Sequence, residues 1–220
     1  PNDTVYRNNN ITQVIGTIAL FEKNYSVMLP PACDNQPIVQ IRWVVRSESG
    51  AGADPSFALD NISIASPNPT VPFFQAIGLN QDFSGLAYGS TIVPTGYKII
   101  QLQGAPGNTF KNTTVARDTT MIATSDATNT NAGGHNYNGK IGFLNGATAD
   151  LGIATAISTI NKNNVTISYD ISTIRNPYDG LNQRILEVEL QYRISQDTGA
   201  FFSLPATAYL LPNDTLYKTN

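Results

Sequence analysis

In the stretch RILEVELQYRI (Arg184 to Ile194), Leu186, Val188, Leu190 and Tyr192 alternate with Glu187, Glu189, Gln191 and Arg193. A period of two, with one apolar and one charged face, predicts a strand half-buried in an antiparallel sheet. NVTISYDISTIR reads the same way, with Val165, Ile167, Tyr169 and Ile171 on one side and Asn164, Thr166, Ser168 and Asp170 on the other. PIVQIRWVVRS turns Val39, Ile41, Trp43 and Val45 inward against Gln40, Arg42 and Arg46. Weaker alternation predicts strands at Gln13–Leu20, Phe57–Ile64, Tyr97–Leu102, Lys140–Leu144 and Phe201–Leu204, and the stretch Ala147–Ala156 reads as a short helix or turn. Between them lie clusters such as SESGAGADPS, GAPGNT and TNTNAGGHNYNG, rich in residues that tolerate tight or left-handed backbone. Many short strands with this punctuation predict an all-β fold, a two-sheet antiparallel β-sandwich of jelly-roll-like kind.

Composition narrows the classes. Of 220 residues, 41% are hydrophobic and 13% charged, with a net charge of −3. That is apolar enough for a core, and there is no Lys/Arg cluster to bind nucleic acid or an anionic membrane. No apolar run approaches the ~18–20 residues that span a bilayer as a helix, and no signal peptide is evident. The chain begins without Met and reads as a segment of something longer. Cys33 is the sole cysteine, which excludes an internal disulfide and a cysteine-based metal site; a buried, inert thiol is the simplest reading and an intermolecular bridge the alternative. Abundant Thr, Asn, Ser and Gly suit a secreted β protein.

Two features speak to organisation. SPNPTVPFF (Ser66 to Phe74) holds three prolines after a strand that ends at Ile64, which reads as a linker because proline cannot donate to a sheet ladder. The chain also opens on PNDTVYRNN and closes on PNDTLYKTN, identical at six of nine positions and offset by 212 − 1 = 211 residues. Such an echo is expected of one internal point of a tandem repeat.

Two stretches resemble the jelly-roll sandwich modules of large secreted surface proteins of Bacteroidetes-type bacteria. One is VQIRWVVRSESGAGADPSFALDNISIAS (Val39 to Ser66), similar to the strand pair that ends such modules on a (W/F)-A-(I/L)-D-(D/N)-I-S-(I/V) strand. The other, VTISYDISTIRNPYDGLNQRILEVELQYRIS (Val165 to Ser195), resembles their middle strand–Arg-Asn–loop–strand unit. Here the final strand precedes the middle unit. The resemblance therefore implies a chain cut out of phase with its repeat: residues 1–66 complete one module, 67–80 form the linker, and 81–220 begin the next.

Several residues carry candidate chemistry. By parity Asp60 points inward with Ile62 and Ile64, and Arg175 continues the inward face of Ile167, Tyr169 and Ile171; a structural ion pair between them is one expectation. A structural Ca²⁺ held by Asp60 and Asp82 is another, and a bulge near Asn61 that turns Asp60 to solvent is the third. Glu187, Glu189 and Gln191 at i, i+2, i+4 resemble the acid rows of jelly-roll glycosidases, although solvated outer-face charge explains them more simply. His135 sits in a glycine-rich loop without a neighbouring ligand. Tyr88, Tyr137 and Tyr178, placed in loops, could stack on sugars. The phrase Asp-Thr-(Val/Thr/Leu) resembles the O-glycosylation acceptor of Bacteroidetes and marks Thr4, Thr119 and Thr215.

No nucleophile elbow, P-loop or dinucleotide fingerprint occurs in the sequence. The expectation is a non-enzymatic, extracellular structural repeat of a bacterial adhesin or filament at the cell surface. Each sandwich would be completed by strands of the adjacent repeat or subunit, so its partners are copies of itself, with no cofactor, nucleic acid or membrane span. In the donated case, Gln13–Leu20 and Phe57–Ile64 of one unit fill the sandwich of another. A carbohydrate-binding module, with surface glycans as partners, is the alternative, and a glycosidase the third reading.

Overall fold

The computed structural model describes residues 21–49, 52, 54–65, 79–87, 89–102, 104, 107, 109–112, 116–122, 130–137, 139–146, 150–175, 184–194 and 200–210. Its strands are β1 (Phe21–Met28), β2 (Val39–Ser49), β3 (Ser56–Ala65), β4 (Leu79–Gln81), β5 (Tyr97–Leu102), β6 (Ala116–Thr119) and β7 (Met121–Ile122). There follow β8 (Gly133–Asn136), β9 (Ile141–Leu144), β10 (Leu151–Ile157), β11 (Thr166–Arg175), β12 (Ile185–Ile194) and β13 (Phe202–Leu210). A 3-10 turn, Pro31–Cys33, precedes β2.

The strands form two sheets packed face to face. The first runs β1-β11-β3-β9-β8-β7, with β4 beside the end of β3; the second runs β13-β12-β2-β10-β5-β6. Every pairing among the described residues is antiparallel except the short β7–β8 ladder. The alternation read in the sequence therefore gives an all-β sandwich, as expected. Val39, Ile41, Trp43 and Val45 enter the core from β2, Leu186, Val188 and Leu190 from β12, and Ile167, Tyr169 and Ile171 from β11. At its centre the Trp43 ring meets Tyr169 edge-on at 5.3 Å, and Tyr169 stacks on Tyr25 at 5.4 Å. One open side is tied across the sheets: Tyr25 Oη donates to the carbonyl of Ala208, and Tyr209 Oη bonds Thr173 Oγ1, at 2.7 and 2.8 Å. At one end Thr159 Oγ1 donates to the carbonyl of Cys33 at 2.5 Å and clasps the β1–β2 loop to the β10–β11 loop. Cys33 beneath it is buried, and desolvation followed by Asp34 pushes its thiol up to about 11.

The sandwich joins strands from both sides of the expected linker at residues 67–80. β2 lies between β10 and β12, and β3 lies between β11 and β9. The described strands on either side of the proline-rich stretch thus share one core rather than two, and Leu79 and Asn80 belong to β4. The two stretches that carry the resemblance supply four interior strands, two to each sheet, and residues 66–78 lie outside the described part. Phe57–Ile64, the stretch given a donated role in one of the expectations, is paired on both sides within its own chain as part of β3. Gln13–Leu20 lies outside the described residues.

Ala147–Ala156 is a correction. Residues 151–157 form β10, whose Leu151, Ile153 and Ile157 face the core. Its alanines favour a helix locally, whereas its one glycine serves close packing: a Cβ on Gly152 would lie 2.4 Å from the Trp43 carbonyl oxygen. Gly142 of β9 is tighter still, its Cβ falling 2.0 Å from the Phe57 carbonyl and 2.7 Å from the Tyr137 ring. Gly142→Ala should therefore lower unfolding free energy by about 1–3 kcal/mol through overpacking, read from urea midpoints.

Candidate functional site

Asp60 lies on the outer face of the first sheet, not in the core. Asn61 has φ of 48° and, with Ile62, opposes the single residue Tyr169, so β3 carries a bulge. The inward set shifts from Phe57 and Leu59 before the bulge to Ile62 and Ile64 after it. Asparagine tolerates this left-handed backbone, and the extra residue reverses the parity on which the inward reading of Asp60 rested. Arg175 is displaced similarly by a second irregularity between Thr173 and Arg175. Arg175 stands opposite Ser56 while Asp60 stands opposite Asp170, which overturns the Asp60–Arg175 ion pair. Arg175 Nη1 instead donates to the Asp54 carbonyl at 2.6 Å, and Arg184 pairs with the Asp54 carboxylate at 3.2 Å.

Asp60 finds a different cation. Its Oδ2 is 2.5 Å from Lys140 Nζ, and its Oδ1 accepts the Asn61 N–H at 2.8 Å. Lys140 Nζ also reaches Glu22 Oε2 at 3.4 Å, and Ser172 Oγ donates to that same oxygen at 3.0 Å. Beside them Asp170 accepts hydrogen bonds from Asn24 and Asn61 at 2.8 and 2.7 Å. Burial pushes the Asp60 carboxyl above the usual carboxylate range against the pull of Lys140. Burial likewise opposes the charge on Lys140, but Asp60 and Glu22 together hold its pKa above the usual lysine value. Two acids share one ammonium on a half-dry sheet face.

Asp82, the other residue expected to hold Ca²⁺, is exposed and turns its carboxylate onto the N–H and hydroxyl of Ser84, which lower its pKa. Among the described residues no group of three His, Cys, Asp or Glu side chains is arranged to hold a metal ion.

On the outer face of the second sheet, the acidic row of β12 lies opposite the basic row of β2. Glu187 faces Arg46, Gln191 faces Arg42, and Arg193 faces Gln40 in the strand register. Arg42 Nε donates to Gln191 Oε1 at 2.9 Å, Gln191 Nε2 donates to Glu189 Oε1 at 2.9 Å, and Arg193 Nε donates to Gln40 Oε1 at 2.8 Å. These groups are not solvated, contrary to the simple expectation: Arg42, Glu189 and Gln191 are 1%, 3% and 0% exposed. Phe110, Lys111 and Phe201 lie over this row. Phe110 packs with Val44, Ile100 and Leu102, and Lys111 takes Arg42 Nη2 on its carbonyl at 2.8 Å while its ammonium pairs with Asp150 at 2.8 Å. Phe201 lies under both guanidinium groups, 3.6 Å from Arg42 and 4.4 Å from Arg193. Burial first, then Arg193, presses the Arg42 pKa down to about 9 while Glu189 opposes the fall, so the guanidinium stays charged at neutral pH. Glu189 is thus buried and bonded to Gln191 and the Ser203 hydroxyl rather than open to solvent.

Tyr137 is also removed from the sugar-binding expectation. It is 1% exposed, packed with Ala58 and Ile174 and stacked on His135 at 5.3 Å. Thr119 lies in edge strand β6 opposite the core residue Ile99, half-buried. Tyr88, Tyr178, Thr4 and Thr215 lie outside the described residues.

Comparison with protein-family models, curated proteins and solved structures finds no match for this chain. Its chemistry therefore rests on its own geometry.

His135 illustrates the cost of a sealed interior. It is wholly buried, with Nε2 set 2.8 Å from the Asn131 carbonyl, and burial holds its pKa below 6.5 despite that bond. The unfolded chain takes up a proton that the folded imidazole resists. This contribution to stability is present above the ordinary histidine pKa of about 6.5 and is lost as pH falls through it. Urea titrations at pH 7 and pH 5.5 should show this loss, with a smaller pH slope in His135→Asn.

Proposed function

We propose that this sandwich is a non-enzymatic structural repeat of an extracellular bacterial adhesin or filament, joined in series to copies of itself. The observation that carries this reading is the position of the echoing phrases relative to the fold. Pro1–Asn9 and Pro212–Asn220 recur at a spacing of 211 residues, and the described strands between them form one two-sheet sandwich, so the spacing matches the size of one sandwich module. The described strands nearest the phrases, β1 and β13, are the facing edge strands of the two sheets. Phe21 stands opposite Thr173 and Leu210 opposite Glu187, at the end of the sandwich where β11 gives way to β12. The described strands thus begin and end at one corner, beside two strand edges that have a single neighbour among the described residues. Main-chain pairing at such edges is a general means of joining β units, and filling them suppresses uncontrolled association.

Surface extracts of the source cells, probed with an antibody against the sandwich, should show polypeptides several modules long. A lone module-sized species with saturable binding on a glycan array would overturn this reading in favour of a carbohydrate-binding module.

A further inference from the structure

We propose that Lys140 and Asp60 become joined by an intramolecular isopeptide bond, with Glu22 relaying the proton. The three side chains come from different parts of the first sheet: Glu22 from β1, Asp60 from β3, and Lys140 from the residue before β9. Leu59 pairs with Ile141, so Asp60 and Lys140 are cross-strand neighbours whose side chains leave the same face. Nζ of Lys140 lies 2.5 Å from Oδ2 of Asp60, and the side chains are only 13% and 14% exposed. Ser172 holds Glu22 Oε2 within 3.4 Å of the same nitrogen. Beside the site, Tyr137 donates its N–H to the Lys140 carbonyl at 2.9 Å and packs against Ala58 and Ile174.

This arrangement supplies what amide formation lacks in water. Fixed juxtaposition replaces a bimolecular encounter, with effective molarities of about 10⁵ M or more in well-aligned cases. Partial burial penalises the separated charges, whereas a neutral amide carries no such penalty.

The step balances without an outside reagent. The ammonium of Lys140 passes one proton to Asp60, leaving an amine and a carboxylic acid. The Nζ lone pair attacks Cγ of Asp60, and Glu22 takes a second proton from the attacking nitrogen. Cγ–Oδ then breaks as Glu22 returns that proton to the departing hydroxyl. One amide and one water result, and nothing is oxidised or reduced. Glu22, 48% exposed, stands where the water can leave. The bond ties β3 to β9, and it follows from this site's chemistry whichever role the sandwich plays.

The test is mass spectrometry of the full chain, folded and purified from a host that adds no glycans. The expected mass is about 18 Da below the sequence mass, one water lost to the cross-link. Tryptic digestion should yield peptide 47–98 joined to 118–162, with cleavage after Lys140 blocked. Lys140→Arg should restore the full mass. Glu22→Gln, a change at a half-exposed position, should leave most molecules unlinked with an unaltered circular dichroism spectrum. Full mass and ordinary cleavage after Lys140 in the folded parent chain would overturn the proposal and leave an ion pair only. Linkage undiminished in Glu22→Gln would overturn the role given to Glu22.

Discussion

Trp43→Ala should lower the unfolding free energy by about 3–5 kcal/mol, the largest loss expected from a single truncation in this chain. Trp43 is wholly buried on β2, the strand between β10 and β12, and its ring meets Tyr169 of the opposing sheet edge-on. Removing the indole costs its transfer free energy and leaves a cavity bounded by two sheets whose backbones are fixed by ladders on both sides. Gly152 tightens the place further, since the Trp43 carbonyl lies where its Cβ would be. Neighbours therefore cannot slide in to fill the space, which puts the loss towards the upper part of that range. Equilibrium urea denaturation followed by circular dichroism measures it. As a control, Phe202→Ala removes an aromatic ring that is 57% exposed on edge strand β13 and should cost about 1 kcal/mol or less. Equal losses in the two variants would refute the placement of Trp43 at the centre of the core.

The second large effect is expected in the covered ladder. Arg42→Met removes the donor to Gln191 and to the Lys111 carbonyl and takes one of the two cations away from Phe201. It leaves Glu189 charged and buried, with less positive potential around it. Breaking a buried polar assembly by removing one member costs about 3–5 kcal/mol, because the remaining groups keep their desolvation penalty. Replacing the assembly as a unit is a different matter. In Arg42→Met/Glu189→Leu/Gln191→Leu, the desolvated charge goes with its partners, and the exposed Ser203 can turn its hydroxyl to water. The triple variant should recover most of the loss seen in Arg42→Met, as buried ionic clusters replaced by apolar side chains usually do. Additive losses across the three substitutions would refute the ladder as one coupled unit.

The same ladder shows what alternation can and cannot tell. The outward residues of β2 and β12 were legible as outward: Gln40, Arg42 and Arg46 on one strand, Glu187, Glu189 and Gln191 on the other. Their opposite charges even anticipate the pairing of the two strands. Their burial was not legible, because it depends on Phe110 and Lys111, from a stretch without periodic signal, and on Phe201, just ahead of a weakly alternating strand, arriving over them. Asp60 failed for another reason. Parity counts residues and assumes regular pleating, whereas a bulge adds one residue without changing composition. The sequence F-A-L-D-N-I-S-I contains an Asn that tolerates left-handed backbone, the one hint available, and a solvent-turning bulge there was among the readings. The cation that meets Asp60 was not foreseeable, because Lys140 lies 80 residues away and has no motif of its own.

By itself the sequence determined the all-β class, the core faces of β2, β11 and β12, and the positions of β3, β5 and β9 to within a residue or two. Period-two alternation is a local property that burial on one face enforces. Only the tertiary structure decided that strands on both sides of the proline-rich stretch share one core, that the acidic row is covered, and that Lys140, Asp60 and Glu22 meet. Each of those outcomes depends on which strands become neighbours across long separations. That choice is made by the packing of whole faces, and no short window of residues records it.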